Sequence, residues 1–250
     1  GYRSGVSLPY QARRKDCRVS KGSYISRPNR GLQLYACLFL VVLYTPVLFI
    51  PLFSFNASIY VRFPLQGFTT EWYVGLLNRP TVWDALWNSV RVGIGVAIVS
   101  TVLGVLAARA LTRNRMPGQN AIVAFVMLPL VIPGIIFGVA LLVLISRLGI
   151  PLSLYTVALG HLIVCMPFAV ATLLPRFEGM DPSMEEASAD LGENGWWTFR
   201  RVTFPMVLPG IIASLLLTFT VSFDEFIMAF FLSSTDATLP MYIWSQLRFP

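Results

Sequence analysis

Charge is scarce in this 250-residue chain. Asp, Glu, Lys and Arg make up 12% of it and hydrophobic residues 56%, with a mean hydropathy of +0.68. Soluble domains carry about 25% charged residues, so the composition is that of an integral membrane protein. Lysine occurs only as Lys15 and Lys21, and no Gly-rich loop ending in Gly-Lys-Ser/Thr is present. Without that phosphate cradle the chain has no Walker-type ATP site of its own. His-Glu-x-x-His and Gly-x-Ser-x-Gly are missing too, which removes the common zinc-protease and serine-hydrolase readings. His161 is the single histidine, and Cys17, Cys37 and Cys165 lack metal-ligand spacing. Their odd number argues against a disulfide framework. Cys37 and Cys165 fall in apolar segments and are expected as packing residues. His161 is expected as a hydrogen-bonded packing residue, since no second histidine or nearby carboxylate supports a metal site. A membrane enzyme using His161 as a base therefore lacks a catalytic constellation, and no catalytic, metal or cofactor-binding residue is assigned.

Long apolar runs are what the chain does have. A spanning helix needs about 20 predominantly apolar residues, and five segments qualify, at about 34–53, 90–110, 121–144, 154–174 and 207–232. Thr69-Thr70-Glu71-Trp72-Tyr73 reads as a helix start followed by interface aromatics. Gly93, Gly95, Gly104 and Ala108 would let neighbouring helices approach the second span, as would Gly134-x-x-x-Gly138 in the third. Pro133-Gly134 is expected to weaken that third helix near its middle. The formal net charge is +7, and eight of nineteen basic residues lie in the first thirty positions, from Arg3 to Arg30. Residues 1–31 read as a basic cytoplasmic tail and 32–250 as the transmembrane domain. The apolar stretch after the tail lacks a small-residue cleavage site and is expected to be a retained span. Arg109, Arg113, Arg115, Arg176, Arg200 and Arg201 fall on the tail's side of the membrane. Arg62, Arg79, Arg91, Arg147 and Arg248 fall on the other. The bias puts the N-terminus in the cytoplasm.

One polar stretch interrupts the apolar pattern, EGMDPSMEEASADLGENGWWTFRRVTFP at about 178–205. Asp181-Pro182 is a helix-start signal. Met184, Ala187, Ser188 and Leu191 recur at helical spacing and make a small, mostly apolar face. Gly192 is the expected C-terminal stop. A second short helix is expected from about 195 to 203, with Trp196, Trp197 and Phe199 on its surface and Pro205 ending it. Interfacial helices that lie on lipid carry Lys and Arg on the polar face. Here carboxylates outnumber arginines, which favours a protein partner over an anionic leaflet.

This stretch resembles the EAA signature of permease subunits in binding-protein-dependent, type I ABC importers: Glu-Ala-Ala, three residues, Gly, nine residues, Ile-x-Leu-Pro. It reads Glu186-Ala187-Ser188, three residues, Gly192, nine residues, Val202-Thr203-Phe204-Pro205, departing at Ser188, Val202 and Phe204. The resemblance implies the all-α membrane fold of that permease class. Glu186, Ala187, Ser188, Gly192, Val202 and Pro205 would then form a coupling helix docked in a cytoplasmic ABC ATPase dimer, which uses the ATP. It also implies a second permease subunit, an external or periplasmic solute-binding protein, and a bacterial inner-membrane location. The family carries a sixth span, so this sequence, with five, is expected to lack the C-terminal one.

Asp224 and Glu225 lie inside the fifth apolar segment. Charge at membrane depth costs roughly 2.5–3.5 kcal/mol per residue on insertion scales and often marks a substrate path. The rival reading is a structural ion pair with Arg91 or a partner subunit, and the residues alone leave both open. If the segment is one helix, the two carboxylates point about 100° apart and one of them faces the path. Ser222-Phe223-Asp224-Glu225-Phe226 and the Thr238–Trp244 loop resemble permeases for spermidine and putrescine. Related importers for ferric iron and aminoethylphosphonate share parts of the pattern. An ion-coupled secondary transporter working through Asp224 and Glu225 is the alternative from a different class.

Overall fold

The chain's computed structural model describes residues 30–58, 63–114 and 117–248. Residues 1–29 of the basic tail, with Cys17, and also Arg62 and Arg115, lie outside the described residues. The chain divides into two compact units, Gly1–Trp72 and Tyr73–Pro250.

In the first unit, α1 (Arg30–Ser54) is apolar all round and buries none of its residues, Cys37 included. Cys37 is exposed on this helix, not buried as expected of a packing residue. After it, buried Asn56 organises the loop. Its Oδ1 accepts the Gln66 N–H at 3.1 Å, and its carbonyl accepts the Trp72 indole N–H at 2.9 Å. α2 (Glu71–Leu77) starts at the expected signal, where Thr69 Oγ1 accepts the Glu71 N–H at 3.1 Å.

The second unit is built on α3 (Pro80–Arg113), α6 (Leu154–Glu178) and α9 (Phe204–Asp224). α3 begins at Pro80, ten residues before the expected span. Pro at the first helical position is preset for helix, and the buried stripe Ala85, Ser89, Val92, Val96 continues the apolar face through the polar first turns. At 34 residues α3 is roughly 51 Å long, longer than a hydrocarbon core of about 30 Å. Helices in lipid gain little from hydrophobicity and associate by close packing and hydrogen bonds. Small residues do this work here. Gly104 lies against Ala169, Ala108 is fully buried, and Thr101 Oγ1 meets Ser214 Oγ at 3.1 Å. Gly95, expected at a helix contact, faces open space, because it lies off the buried stripe.

The expected third span is two helices, α4 (Gln119–Val131) and α5 (Gly134–Arg147), bent by 102°. Pro133 cannot donate to the helical ladder and pushes Ile132 into extended backbone. The Gly134-x-x-x-Gly138 pattern is used within the chain, where Ile227 and Phe231 pack over the two glycines. The fifth segment is also broken. α9 ends at Asp224 and α10 (Ile227–Leu232) follows after a two-residue kink. The segment beginning at Thr238, likened to a loop, is mostly helix, α11 (Leu239–Arg248). Leu239 N–H donates to Ser89 Oγ at 2.8 Å and Asn88 Nδ2 donates to the Ala237 carbonyl at 3.1 Å, which fixes it to α3.

Candidate functional site: a polar hairpin and a kink between carboxylates

α7 (Ser183–Asp190) stands at the tip of the polar stretch. Asp181 Oδ1 accepts the Ser183 N–H at 3.0 Å. That hydrogen bond, with one from the Ser183 hydroxyl, holds the exposed Asp181 carboxyl below its ordinary value of 3.8. The helix stops at Gly192, whose φ of 88° is left-handed. Gly192 N–H donates to the Ala189 carbonyl at 2.9 Å and Glu193 N–H to the Ser188 carbonyl at 3.2 Å, the paired bonds of a Schellman cap.

α8 (Gly195–Thr198) follows, with Asn194 Oδ1 accepting the Trp196 and Trp197 N–H groups at 3.1 and 3.0 Å. Pro205 does not end this helix, contrary to the sequence expectation. A π-helical turn (Phe199–Thr203) carries α8 straight into α9, with Phe204 N–H reaching the Phe199 carbonyl five residues back. Proline lacks an N–H and its ring crowds the carbonyl four residues earlier. The wider π turn relieves that crowding without breaking the helix, and such bulges recur at functional sites.

The six signature residues divide by exposure. Glu186, Ala187, Gly192 and Pro205 are exposed, Val202 is half-buried and Ser188 is buried. Ser188 Oγ meets Thr198 Oγ1 at 3.1 Å, which folds the two short helices onto one another. The sequence grouped Met184 and Leu191 with Ser188 on one face. They are instead exposed, Leu191 to 87%, as is Trp196 at 65%. A hairpin that leaves such side chains in the open fits a binding surface better than a solvated loop.

Three residues not singled out from the sequence hold the hairpin to the helices. Glu185 Oε2 accepts a hydrogen bond from Arg113 Nε at 2.8 Å, and its Oε1 accepts one from the Thr203 hydroxyl. Glu185 lies three positions before Ser188, so both share the inner face of α7. That spacing was the available signal.

The kink carries the second group. The Asp224–Glu225 pair does not lie on one helix, as had been expected. Glu225 is extended, and its Oε1 accepts the Ile227 and Met228 N–H groups at 2.9 and 3.2 Å, capping α10. Asp224 is exposed, and its carboxylate has no hydrogen bond or ion pair among the described residues. The ion pairs found there are Arg113–Glu185 and Arg201–Glu193, so the Arg91 pairing does not occur. Arg91 instead lies over the Trp87 ring at 5.5 Å. Asp224 and Glu225 line a cavity of about 270 Å³ with Thr220 and Val221. A second polar cavity, about 430 Å³, is lined by Asp84, Asn88, Asp236 and Tyr242 among others. Neither of its carboxylates was singled out, because in the sequence each falls in a polar stretch outside the apolar segments, Asp84 before the second and Asp236 after the fifth. His161 is buried, with Nδ1 at 2.9 Å from Ser222 Oγ, the packing role expected of it.

Comparison with known proteins places this geometry. Residues 100–247 match the family described as "Binding-protein-dependent transport system inner membrane component". The chain is 33% identical over 209 residues to the spermidine/putrescine transport system permease protein PotC of Escherichia coli (strain K12), covering 82% of this chain and 78% of that one. It is 35% identical over 214 residues to the putrescine transport system permease protein PotI of the same strain, covering 82% and 76%. Its fold is similar to a chain of a bacterial ABC transporter involved in the import of the acidic polysaccharide alginate. The TM-score is 0.69 at 17% identity, covering 90% of this chain and 82% of that chain, a likeness of fold alone. Signature, helical architecture and relatives agree: the chain belongs to the inner membrane components of binding-protein-dependent transport systems, as a permease subunit of an ABC importer.

Proposed function

We propose that this permease admits a polyamine of the spermidine or putrescine kind, along a route that passes Asp224. The observation that carries the reading is an exposed carboxylate, with no partner among the described residues, at a kink in an otherwise apolar helix and lining a cavity. An ammonium group about 4 Å from a carboxylate gains roughly 4 kcal/mol in the dielectric near a protein surface. A cation is drawn there and an anion is repelled. Asp84 and Asp236 add two carboxylates in the larger cavity, of the same sign. The names borne by PotC and PotI support the same cargo class.

In this reading the basic tail and the hairpin face the cytoplasm. The exposed tip, with Glu186, Ala187, Met184, Leu191 and Trp196, docks in an ABC ATPase dimer that hydrolyses the ATP. A second permease subunit completes the pore, and an external binding protein delivers the cargo. Uptake of labelled spermidine and putrescine by the reconstituted complex tests the cargo. Asp224→Asn is expected to reduce uptake by at least about tenfold, the loss of roughly 1.4 kcal/mol, while the subunits still copurify. Unchanged uptake by that variant would remove Asp224 from the route.

A further inference from the structure

We propose that Glu185 is the positioning residue through which displacement of α7 reaches the pore helices. This rests on the reading of the hairpin as the ATPase contact. One carboxylate joins three elements. Its Oε2 is held by Arg113 in the last turn of α3, and its Oε1 by the Thr203 hydroxyl in the π turn that opens α9. The side chains of Arg113 and Glu185 are only 18% and 15% exposed, and Thr203 is fully buried. An ion pair removed from water in this way is screened little and holds its geometry. Glu186, one position on, points about 100° away and is exposed. Adjacent glutamates thus have different tasks, with Glu186 facing outward and Glu185 facing the helices.

Two of the elements that Glu185 joins, α3 and α9, belong to the three-helix core. α3 packs along both α6 and α9, so a push delivered to its end is shared by the whole three-helix core. The pair has a second brace, with the Arg109 guanidinium over the Phe199 ring at 4.8 Å, which ties α3 to the π turn one helical turn away. The hairpin itself is stiffened by Ser188–Thr198 and by the Schellman cap at Gly192. A stiff tip tied directly to α3 by one carboxylate transmits displacement to it. Without Glu185 the tip keeps its Ser188–Thr198 tie to α8, and so to α9, but loses that direct tie, and α3 can lag when the tip follows the ATPase.

The test uses the complete reconstituted transporter and reads ATP hydrolysed per cargo molecule imported, beside crosslinking of a cysteine at position 187 to the ATPase. For Glu185→Ala the ratio is expected to rise roughly tenfold, within the range of typical coupling energies, with crosslinking retained. Glu185→Gln keeps the shape and the Thr203 contact but loses the charge, and should fall between. The reversal pair Glu185→Arg with Arg113→Glu should recover most of the ratio that either single reversal loses. A purely structural role would change yield or crosslinking together with the ratio, and the reversal pair would not restore coupling. An unchanged ratio in Glu185→Ala with crosslinking intact overturns the assignment of Glu185 and leaves the docking reading standing. Absence of crosslinking by Ala187→Cys in a complex that keeps Glu185 and Arg113 overturns the docking reading and the assignment with it.

Discussion

Adding a single methyl group at Gly104 forces a choice on the α3–α6 interface. The new Cβ would stand 2.9 Å from Ala169 Cβ and 3.0 Å from Leu173 Cδ1. Carbon atoms sit comfortably at about 3.5–4.0 Å, so the helices must part by roughly 0.6–1.1 Å. Ala169 Cβ is bonded to backbone and cannot swing aside, and Leu173 is fully buried with nowhere to go. Overpacking of this kind costs about 1–3 kcal/mol. Against it stands the gain of about 1 kcal/mol when alanine replaces glycine inside a helix. Gly95 provides the control, since it lies on the same helix and a Cβ there meets nothing within 4 Å. Gly95→Ala should therefore stabilise the purified subunit in detergent by about 1 kcal/mol. Gly104→Ala should lie about 1–3 kcal/mol below it, measured as unfolding free energies with helicity as the probe. Ala169→Gly placed in the Gly104→Ala background should show favourable coupling in a double-mutant cycle. Equal shifts for Gly95→Ala and Gly104→Ala would refute the packing argument.

Gly192→Asp and Glu186→Lys are expected to leave the protein inserted while uncoupling uptake from ATP hydrolysis. Normal ATP-driven uptake by both would count against the docking surface. Gly192→Asn should be milder than Gly192→Val, because asparagine tolerates φ near 88° and a β-branched residue does not. The Asp181 carboxyl is held below 3.8 by Ser183, so its contribution to α7 is complete above pH 3.8 and lost as pH falls through the lower folded value. The protection factor of the Ser183 amide, the intrinsic exchange rate divided by its own rate at each pH, should fall over that acid range and stay constant from pH 5 to 7.

Membrane character was legible in the sequence, as were four apolar segments and the ends of α7. Each depends on local chemistry: runs of apolar residues, Asp181-Pro182 as a start, Gly192 as a stop. The Glu186-to-Pro205 spacing identified the family before any contact was known, because a spacing pattern is itself a property of the chain. The two kinks were less legible. Pro133-Gly134 announces a weak point but not a bend of 102°. Nothing in Phe223-Asp224-Glu225-Phe226 says that the helix stops, since acidic residues are not helix breakers and Glu225 becomes a cap only once α10 turns away.

The limits fall where partners are distant in the chain. Gly93, Gly95 and Gly104 look alike in sequence, yet Phe219 and Ala169 pack over two of them and nothing over the third. Glu185 and Glu186 are neighbours of the same chemistry. Which one is tied to the helices depends on where Arg113, 72 residues earlier, and Thr203, 18 residues later, come to rest. Local pattern can say what an element is and which family it belongs to. Which of two like residues carries a contact is set by long-range packing, because a contact needs both partners in place.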